Sequence, residues 1–544
     1  MTESTTETKW NRKFEDIANG LRPTLHQWTR TPQKLIQFEP DSEAYFRLRT
    51  TTNKHSLSDL PELNWAKGDE FVLDFGIHMV GYLEFRLNFT GANMDAPCRL
   101  HLTFGESPFD VTMDMNKVNS WISTSWLPDE VINIDVCPTT ISLPRRYSFR
   151  YLRVRVIDVS PKFTVQFSDI KCNCVSAIGQ DAPLESFAYN NPSLQTIDHI
   201  CISTLRDCMQ KVFEDGPRRD RRLWIGDLRL QALTAYITFQ DYDLVKRCLY
   251  LFAAVARVDG SLPACVFEQP NLSPSTDYIV DYDMLFGPIV FDYVSASNDA
   301  VTGHDLWETV LGCLNRALAH LDPVTNVFNP AYSNDWKFLD WDPRLDRSAG
   351  EHGVLIYSLK AINKLADLLH KPEPFSDLVQ KLTESATRFL SNDVFVSGPE
   401  SQVSYASAAW LVLAEAFPLP TARTALLNTL AHPDAIKPLT PYLWHHVCDA
   451  LVTVGCYQEC VDVLASYWGQ MVEAGADTFW EFFDAADASE SPYGDVRNHS
   501  FCHAWSCTPT YFLRGKLREF VGGRSLGMVT MGQLDERWVS RSVK

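Results

Sequence analysis

The stretch Phe213-Glu-Asp-Gly-Pro-Arg-Arg-Asp-Arg-Arg-Leu-Trp-Ile-Gly-Asp227 organises the rest of this chain. Three aspartates, four arginines and one tryptophan lie within it, and its Gly-Pro pair interrupts regular structure. We therefore expect a loop that re-enters a helix near Gly226. Taken alone, so many charges are typical of a solvated turn with Arg–Asp pairs. The tryptophan and the flanking apolar runs favour a loop that lies against a core and lines a polar pocket.

Composition and charge restrict the classes of function. The 544 residues suffice for two or three domains, and 12% aromatic residues suffice for stacking against sugars. A net charge of −19 argues against nucleic acid and anionic membranes as partners. The polar N-terminal residues and the lack of a long apolar run predict a cytoplasmic protein without a membrane segment. Nothing in the sequence indicates an oligomeric state.

The 14 cysteines are scattered, and many fall inside helical patterns, so we expect buried thiols. Neither Cys172 and Cys174 nor Cys456 and Cys460 have the spacing of a zinc site. The sequence therefore predicts no metal and no cofactor.

The N-terminal third has the pattern of β-structure. Residues 1–35 are predicted to be a polar lead-in with little to fix them. In residues 81–88 and 150–156 apolar and polar side chains alternate, as in half-buried strands of an antiparallel sheet. Several such strands separated by turn residues predict a β-sandwich domain over residues 36–185.

After Asn191-Pro192 the apolar residues recur every three or four positions, which is typical of helices packed on a core. About a dozen helical segments are predicted, near residues 193–212, 226–238, 242–256, 281–296, 304–320, 351–370, 376–391, 404–415, 420–431, 441–453, 457–473 and 500–514. A dozen helices suit six helical hairpins closed into a toroid, a domain over residues 186–520. The tail, residues 521–544, has room for one strand.

Several motifs together carry a resemblance to a known family. Residues 73–82, 101–106 and 148–154 are similar to its sandwich strand motifs, and residues 215–227 resemble its Asp-x-Pro-x-Arg-Asp-Glu-Arg-x-x-Trp-x-Gly-Asp signature. Asn334-Asp-Trp336 and Ala476-Asp-Thr-Phe-Trp-Glu481, followed by Arg497-Asn-His499, resemble three further motifs. The chain resembles glycoside hydrolase family 78, the α-L-rhamnosidases, and their six-hairpin relatives. The resemblance implies an (α/α)6 barrel behind a β-sandwich.

The resemblance also implies hydrolysis of a small glycoside by inversion. That reaction needs one carboxylic acid to protonate the leaving oxygen and one carboxylate to activate water, roughly 6.5–9.5 Å apart. Glu481, which lies among aromatic residues, is our candidate for the base. A glutamate exposed on a loop after a helix ending near Ala474 is the alternative interpretation.

The acid is harder to assign. In the family it is the glutamate of the Arg-Asp-Glu-Arg run, whereas this chain reads Arg219-Asp-Arg-Arg, with the glutamate deleted or replaced by Arg221. Arginine cannot donate, because it stays protonated. Asp220 is our candidate for the acid, with Asp215 and Asp227 as alternatives. Adjacent arginines favour a carboxylate over an acid, so this hypothesis requires them to point away from Asp220.

The remaining predicted site residues bind the sugar. In the family pattern, aspartates hold hydroxyls and tryptophans stack on or wall the ring. His499 and His503 are expected four residues apart on one helix face, where a buried, hydrogen-bonded histidine is the commoner outcome. The predicted substrate-binding residues are Asp215, Arg219, Arg221, Trp224, Asp227, Asp335, Trp336, Trp480 and His499.

Two other functions remain open. A lyase could remove terminal rhamnose from a uronic acid by β-elimination, with the arginines of residues 218–222 neutralising the carboxylate. Its base would be His499, His503 or Tyr282. A sugar-binding relative without catalysis would keep the pocket but lack the acid.

Overall fold

The computed structural model describes residues 7–542. Its strands are β1 (His26–Arg30), β2 (Lys34–Pro40), β3 (Leu48–Thr52), β4 (Glu70–Gly91), β5 (Cys98–Gly105), β6 (Asp129–Ile134), β7 (Thr139–Ser142), β8 (Tyr147–Asp158), β9 (Phe163–Ser176), β10 (Pro183–Ala188), β11 (Leu223–Trp224), β12 (Cys265–Phe267), β13 (Ser273–Pro274), β14 (Leu390–Ser391), β15 (Val394–Phe395) and β16 (Arg524–Thr530).

Helices dominate the chain after β10. The helices are α1 (Arg12–Gly20), α2 (Pro108–Thr112), α3 (Pro192–Cys208), α4 (Ile225–Tyr236), α5 (Tyr242–Ala254), α6 (Val280–Ser297), α7 (Ala300–Gly312), α8 (Asn315–Leu318), α9 (Ser348–Leu368), α10 (Ser376–Ser385), α11 (Tyr405–Leu413), α12 (Leu419–Ala431), α13 (Pro441–Thr453), α14 (Tyr457–Val463), α15 (Gly469–Glu473), α16 (Pro509–Tyr511) and α17 (Met531–Ser542). A 3-10 turn, Ala504–Cys507, precedes α16.

The N-terminal strands form one antiparallel sheet. Its main path among the described residues runs β1-β9-β4-β8-β5-β6, with β2 and β7 also paired to β4 and β3 paired to β2. The long strand β4 pairs with β8 through residues 70–81 and with β9 through residues 81–91. Because one strand serves two neighbours in succession, it holds the sheet together along its length.

The predicted alternation in this sheet is confirmed. In β4, Leu83, Phe85 and Leu87 are buried, whereas the residues between them are at least partly exposed. The same holds for Leu152 and Val154 in β8. These side chains belong to one apolar cluster shared by β4, β5, β8 and β9. Burying that cluster is the main favourable term that holds the strands together.

The helical part is confirmed as helical, and its contacts follow a circuit. α4 packs against α6, α6 against α9, α9 against α11, and α11 against α13. The 3-10 turn Ala504–Cys507 contacts both α13 and α4, so the circuit returns to its start. Each of these five helices also packs against the next helix along the chain: α4 against α5, α6 against α7, α9 against α10, α11 against α12 and α13 against α14. The protein is thus mixed α and β, with an antiparallel N-terminal sheet and a domain of helical hairpins.

Residues 12–30 and 524–542 are more ordered than the sequence predicts, and residues 1–6 and 543–544 lie outside the described residues. The interpretation of residues 1–35 as a polar lead-in is wrong for residues 12–30, because α1 buries Phe14 and Ala18 and β1 pairs with β9. In the tail, the anticipated strand is β16, which pairs with β10, and α17 follows it. Within residues 7–542 no helix combines the length and apolar character needed to cross a bilayer.

Candidate active site

A cavity of about 290 Å³ lies where the N-terminal ends of α4 and α6 meet three loops. Seven of the predicted site residues line it: Asp215, Arg219, Asp220, Trp224, Asp227, Trp336 and Glu481. A segment of the N-terminal domain, between β5 and β6, supplies Trp121, Ile122 and Trp126 to the same wall. The cavity is therefore shared between the two parts of the chain.

The segment 213–227 folds around the carboxylate of Asp215. Its two oxygens accept the main-chain N–H groups of Asp220 and Arg222, each at 3.0 Å. The chain re-enters a helix at Ile225, the start of α4, as predicted. At Gly226 a Cβ would lie 2.4 Å from the ring of Tyr282, so only glycine permits this close approach.

Asp215 is held in a setting that favours its protonated form. Burial, followed by the charge of Asp220, raises the pKa of Asp215 to about 7, well above its ordinary value of 3.8. A carboxyl group of this kind keeps a proton near neutral pH. Chemically, such a group suits a general acid or a partner of one.

Glu481 lies on the loop after α15, but it is not an exposed loop residue, since only 2% of its surface is accessible. Its main-chain N–H donates to the carbonyl of Ser500 at 3.0 Å, and its carbonyl accepts Trp505 Nε1–H at 3.0 Å. Its carboxylate accepts hydrogen bonds from Tyr493 Oη–H and Arg219 Nη2–H. The neighbouring loop thus fixes both its backbone and its side chain.

One guanidinium joins the two predicted catalytic carboxylates. Arg219 Nη2 donates to Glu481 Oε2 at 2.5 Å, and Arg219 Nη1 donates to Asp220 Oδ1 at 3.3 Å. The two carboxylate oxygens that Arg219 binds are therefore separated by at most the two hydrogen bonds and the width of the guanidinium. This separation lies below the upper limit of the roughly 6.5–9.5 Å range typical of inverting glycosidases. The expected withdrawal of both neighbouring arginines from Asp220 is wrong for Arg219, which contacts it.

His503 lies between two carboxylates at the bottom of the cavity. Its Nε2 is 3.1 Å from Asp227 Oδ1, and its Nδ1 is 4.0 Å from Glu481 Oε2. Although burial opposes it, these carboxylates raise the pKa of His503. Burial raises the pKa of Asp227, against the opposing effect of His503. An imidazolium–carboxylate pair of this kind presents fixed polar atoms to a sugar.

Four predicted substrate-binding residues do not line the cavity. Arg221 donates to the carbonyl of Arg146 at 2.8 Å, and Asp335 pairs with Arg316 at 2.5 Å. Trp480 packs in a buried aromatic cluster whose ring centroids are 5.2–5.6 Å away: Tyr45, Phe46, Phe483 and Phe501.

His499 is the fourth of them. It packs against Phe501 behind the cavity wall, with ring centroids 4.8 Å apart. Residues 499–503 form no helix, so the predicted helix face shared with His503 is wrong. Because the chain is extended there, the two imidazoles reach different surroundings, and only His503 lines the cavity.

Several lining residues escaped the sequence analysis. They come from segments far from residues 213–227: Trp121, Trp126, Asp277, Ile279, Phe338, Trp341, Tyr493 and Trp505. The signal that could have found some of them is aromatic density near a recognised motif, since Phe338 and Trp341 follow Trp336 closely. For Tyr493 and Trp121 no local pattern exists, because their place depends on how distant loops meet.

One buried group has atoms close enough to hold a metal: His78, Asp207 and Cys502, within 4.8 Å of one another. The ring nitrogens of His78 already have protein partners, since Nδ1 is 2.7 Å from Asp207 and Nε2 is 2.9 Å from Ser148 Oγ. The geometry is that of a hydrogen-bonded histidine between acids. The expectation of no metal stays a prediction.

Both parts of the chain match models of known protein families. A model of the glycosyl hydrolase family 78 α-rhamnosidase N-terminal domain matches residues 32–174. A model of the bacterial α-L-rhamnosidase six-hairpin glycosidase domain matches residues 183–517. No curated protein sequence gives a significant match.

Solved structures show the same relationship. A rhamnosidase from Klebsiella oxytoca with rhamnose bound is 39% identical with a TM-score of 0.89, over 93% of this chain and 99% of that one. A family 78 rhamnosidase of Bacillus sp. GL1 is 21% identical with a TM-score of 0.69, over 82% and 46%. A Streptomyces avermitilis α-L-rhamnosidase complexed with L-rhamnose is 16% identical with a TM-score of 0.65, over 91% and 44%. The last two share the fold, and the first adds close sequence similarity: the chain belongs to glycoside hydrolase family 78, the α-L-rhamnosidases, and is a glycosidase.

Proposed function

We propose that this protein releases terminal L-rhamnose from a small glycoside by inverting hydrolysis. Asp220 acts as the general acid and Glu481 as the general base. The observation that carries the proposal is the single guanidinium of Arg219, which binds both carboxylates at the wall of one cavity. The rhamnose bound in the Klebsiella oxytoca and Streptomyces avermitilis structures supports the choice of sugar.

Glu481 has the surroundings of a base. Arg219 and Tyr493 donate hydrogen bonds to its carboxylate and fix its orientation in the cavity wall. In the reaction Glu481 takes a proton from water, whose oxygen forms the new bond to the anomeric carbon. The bond from that carbon to the leaving oxygen breaks at the same time, so the released sugar has the opposite anomeric configuration.

The proton for the leaving oxygen comes from the pair Asp215 and Asp220. Burial and the charge of Asp220 raise the pKa of Asp215 to about 7, so Asp215 holds a proton near neutral pH that can pass to the leaving oxygen through Asp220. Asp220 delivers the proton because its side chain is 16% exposed to the cavity, whereas Asp215 is 4% exposed. Asp220 pairs with Arg219 at 3.3 Å and with Arg222 at 3.8 Å, so the condition that its arginines point away is not met, and the proton that it delivers has to come from Asp215.

The rest of the cavity suits a deoxy sugar. Asp227 and His503 present polar atoms, while Ile279, Phe338 and Trp505 supply an apolar wall on which a methyl group and a ring face can pack. Trp336, 40% exposed, lies at the edge where an aglycone would leave the cavity.

The barrel and the sandwich belong to this proposal. The circuit of contacts through α4, α6, α9, α11, α13 and the turn Ala504–Cys507 supports a closed (α/α)6 barrel. The single apolar cluster enclosed by β4, β5, β8 and β9 supports a sheet folded into a sandwich. The domain limits, residues 36–185 and 186–520, remain predictions.

The lyase alternative loses its main support. It requires free guanidinium groups for a uronate, yet Arg219 and Arg222 face Glu481 and Asp220 in the cavity. Arg218 pairs instead with Asp110 at 2.7 Å, outside the lining.

The test is the first product formed from an aryl α-L-rhamnoside and from a rhamnosyl uronate. We expect the aryl rhamnoside to give the β-anomer of rhamnose first, seen by proton NMR before mutarotation. The α-anomer appearing first would overturn inversion. An unsaturated product absorbing in the ultraviolet from the uronate, without rhamnose release from the aryl substrate, would overturn hydrolysis.

A further inference from the structure

A segment of the N-terminal domain, residues 114–121, binds the loop that carries Tyr493. Ser120 Oγ–H donates to the carbonyl of Tyr493 at 2.8 Å, and the main-chain N–H of Trp121 donates to the same carbonyl at 3.3 Å. Trp121 Nε1–H donates to the carbonyl of Pro492 at 2.9 Å. The indole also packs against the phenol, with ring centroids 5.7 Å apart. We call residues 114–121 the clamp segment.

A second set of contacts holds the same loop a few residues further on. Arg497 donates to the carbonyls of Asp114 and Lys117, the latter at 2.9 Å. The carboxylate of Asp495 accepts the main-chain N–H of Asn119 at 2.9 Å and pairs with Arg497. The clamp segment therefore fixes the loop on both sides of residue 494.

What this loop delivers to the cavity is the hydroxyl of Tyr493. Burial raises the pKa of Tyr493 well above its ordinary value, so the phenol stays protonated and its hydroxyl donates a hydrogen bond to Glu481 Oε1. The guanidinium of Arg219 lies 4.0 Å from the centre of the phenol ring and binds the other oxygen, Oε2. Together they fix the rotation of the carboxylate.

We infer that Tyr493 is a positioning residue for the general base, and that the clamp segment of the N-terminal domain holds it in place. The inference rests on the proposed role of Glu481. A carboxylate has about four acceptor positions, two on each oxygen. Tyr493 and Arg219 use one on each, which leaves one free position per oxygen to accept a proton from water. Without Tyr493 the carboxylate can rotate, and the fraction of time it faces the water falls.

The inference makes the N-terminal domain part of the active site rather than an appendage. The domain contributes side chains to the cavity wall through Trp121 and Trp126, and it also holds the loop behind the base. The two observations are independent, since one concerns the cavity lining and the other concerns the hydrogen bonds between the clamp segment and the loop.

Removal of the phenol hydroxyl is the first test. Tyr493→Phe should lower kcat/KM on an aryl rhamnoside about tenfold, as expected for loss of a hydrogen bond to a charged group. The loss should fall on kcat and leave KM unchanged, because the carboxylate is misplaced while the contacts to the sugar are kept. An unchanged kcat would overturn the inference.

A matched variant separates positioning from stability. Tyr405 is also buried, and its hydroxyl donates to the carbonyl of Leu430 at 2.7 Å, away from the cavity. Tyr405→Phe should lower Tm as Tyr493→Phe does but leave kcat per folded molecule unchanged. The same loss of kcat in both variants would show a general structural effect and overturn the inference.

The clamp is tested by Ser120→Ala, which removes the hydrogen bond to the carbonyl of Tyr493. It should lower kcat roughly threefold and leave KM unchanged. In the Tyr493→Phe background it should add nothing further, because its effect passes through that hydroxyl. An effect of the same size in both backgrounds would overturn the role of the clamp segment.

Failure of this inference is distinguishable from failure of the proposed function. If Glu481→Gln is inactive while Tyr493→Phe keeps the wild-type kcat, Glu481 remains the base and only the positioning role of Tyr493 is lost. If Glu481→Gln keeps the wild-type rate, both proposals fall together.

Discussion

Two buried histidines, His78 and His503, each lie between two carboxylates, but only His503 lines the cavity. His78, in β4, lies between Asp207 and Glu106 where the sheet meets the helices, and His503 lies between Asp227 and Glu481. Both side chains are almost fully buried, 0% and 3% exposed. Although burial opposes it, nearby carboxylates raise the pKa of each, and for His78 the neighbouring Cys502 acts in the same direction.

The two histidines differ in whether both ring nitrogens have hydrogen-bond partners. His78 has partners for both ring nitrogens, at 2.7 Å and 2.9 Å. Nδ1 of His503 has no hydrogen-bond partner among the residues that the structure describes, and its ring lines the cavity. Charge composition alone does not mark a functional cluster. An unsatisfied polar atom on a ring that lines a cavity does, because its hydrogen bond is still available to a ligand.

The largest effect is expected at Glu481, the proposed general base, which lies beside His503 in the cavity wall. Glu481→Gln should lower turnover by a factor on the order of 10²–10⁴, because the amide cannot take a proton from water. Folding should be retained, since the amide oxygen still accepts one of the two hydrogen bonds. The rate is measured on an aryl rhamnoside and folding by Tm. A variant with near-wild-type turnover would remove Glu481 from the mechanism.

The next effect depends on the leaving group. Asp220→Asn should lower kcat on an alkyl rhamnoside by about 10²–10³, because the poor leaving group needs a proton. On a nitrophenyl rhamnoside the loss should be small, since that group leaves as an anion.

Asp215→Asn is the control for Asp220. It removes the group whose pKa is about 7, so the profile should lose its titration near that pH. Equal loss on both substrates for Asp220→Asn would exclude it as the acid and make Asp215 or Asp227 the next candidate.

Much of the architecture was readable from periodicity. The alternation in β4 and β8 and the three- to four-residue recurrence after residue 191 report which faces are buried, and burial is what the fold optimises. α1 escaped because it buries only Phe14 and Ala18, too few positions for a convincing stripe.

The candidate site was readable only where its residues are contiguous. Residues 215–227 form one contiguous segment that leads into α4, so most of its predicted site residues do line the cavity. Arg221 differs because its backbone is left-handed, with φ of 63°, and its side chain turns towards Arg146. Tyr493 and Trp121 meet across distant loops, and no pattern in one sequence encodes that meeting.

A smaller effect is expected at His503, the histidine that lines the cavity. His503→Asn should lower kcat/KM roughly 10–10²-fold, because Asp227 loses its charged partner and the sugar loses a donor. The loss should fall mainly on substrates that keep all sugar hydroxyls. Equal loss on a deoxygenated analogue would argue against contact between His503 and the sugar.

The smallest effect on catalysis is expected at His78, whose two ring nitrogens both have partners within the protein. His78→Leu should leave kcat of the folded enzyme unchanged but destabilise the fold by about 3–5 kcal/mol, because Asp207 and Glu106 lose the cation between them. The measurement is the free energy of unfolding in urea beside kcat per folded molecule.

The same variant predicts a pH dependence with a definite sign. The pKa of His78 is raised in the folded protein above its ordinary value of 6.5, so its stabilisation is fully present below about pH 6.5. As pH rises from there through the folded pKa, wild type should lose up to about 1.4 kcal/mol per pH unit relative to His78→Leu. Asp215 titrates in both proteins and cancels in this difference. A difference that grows with pH would mean that His78 is neutral in the folded state, and the parallel between the two histidines would fail.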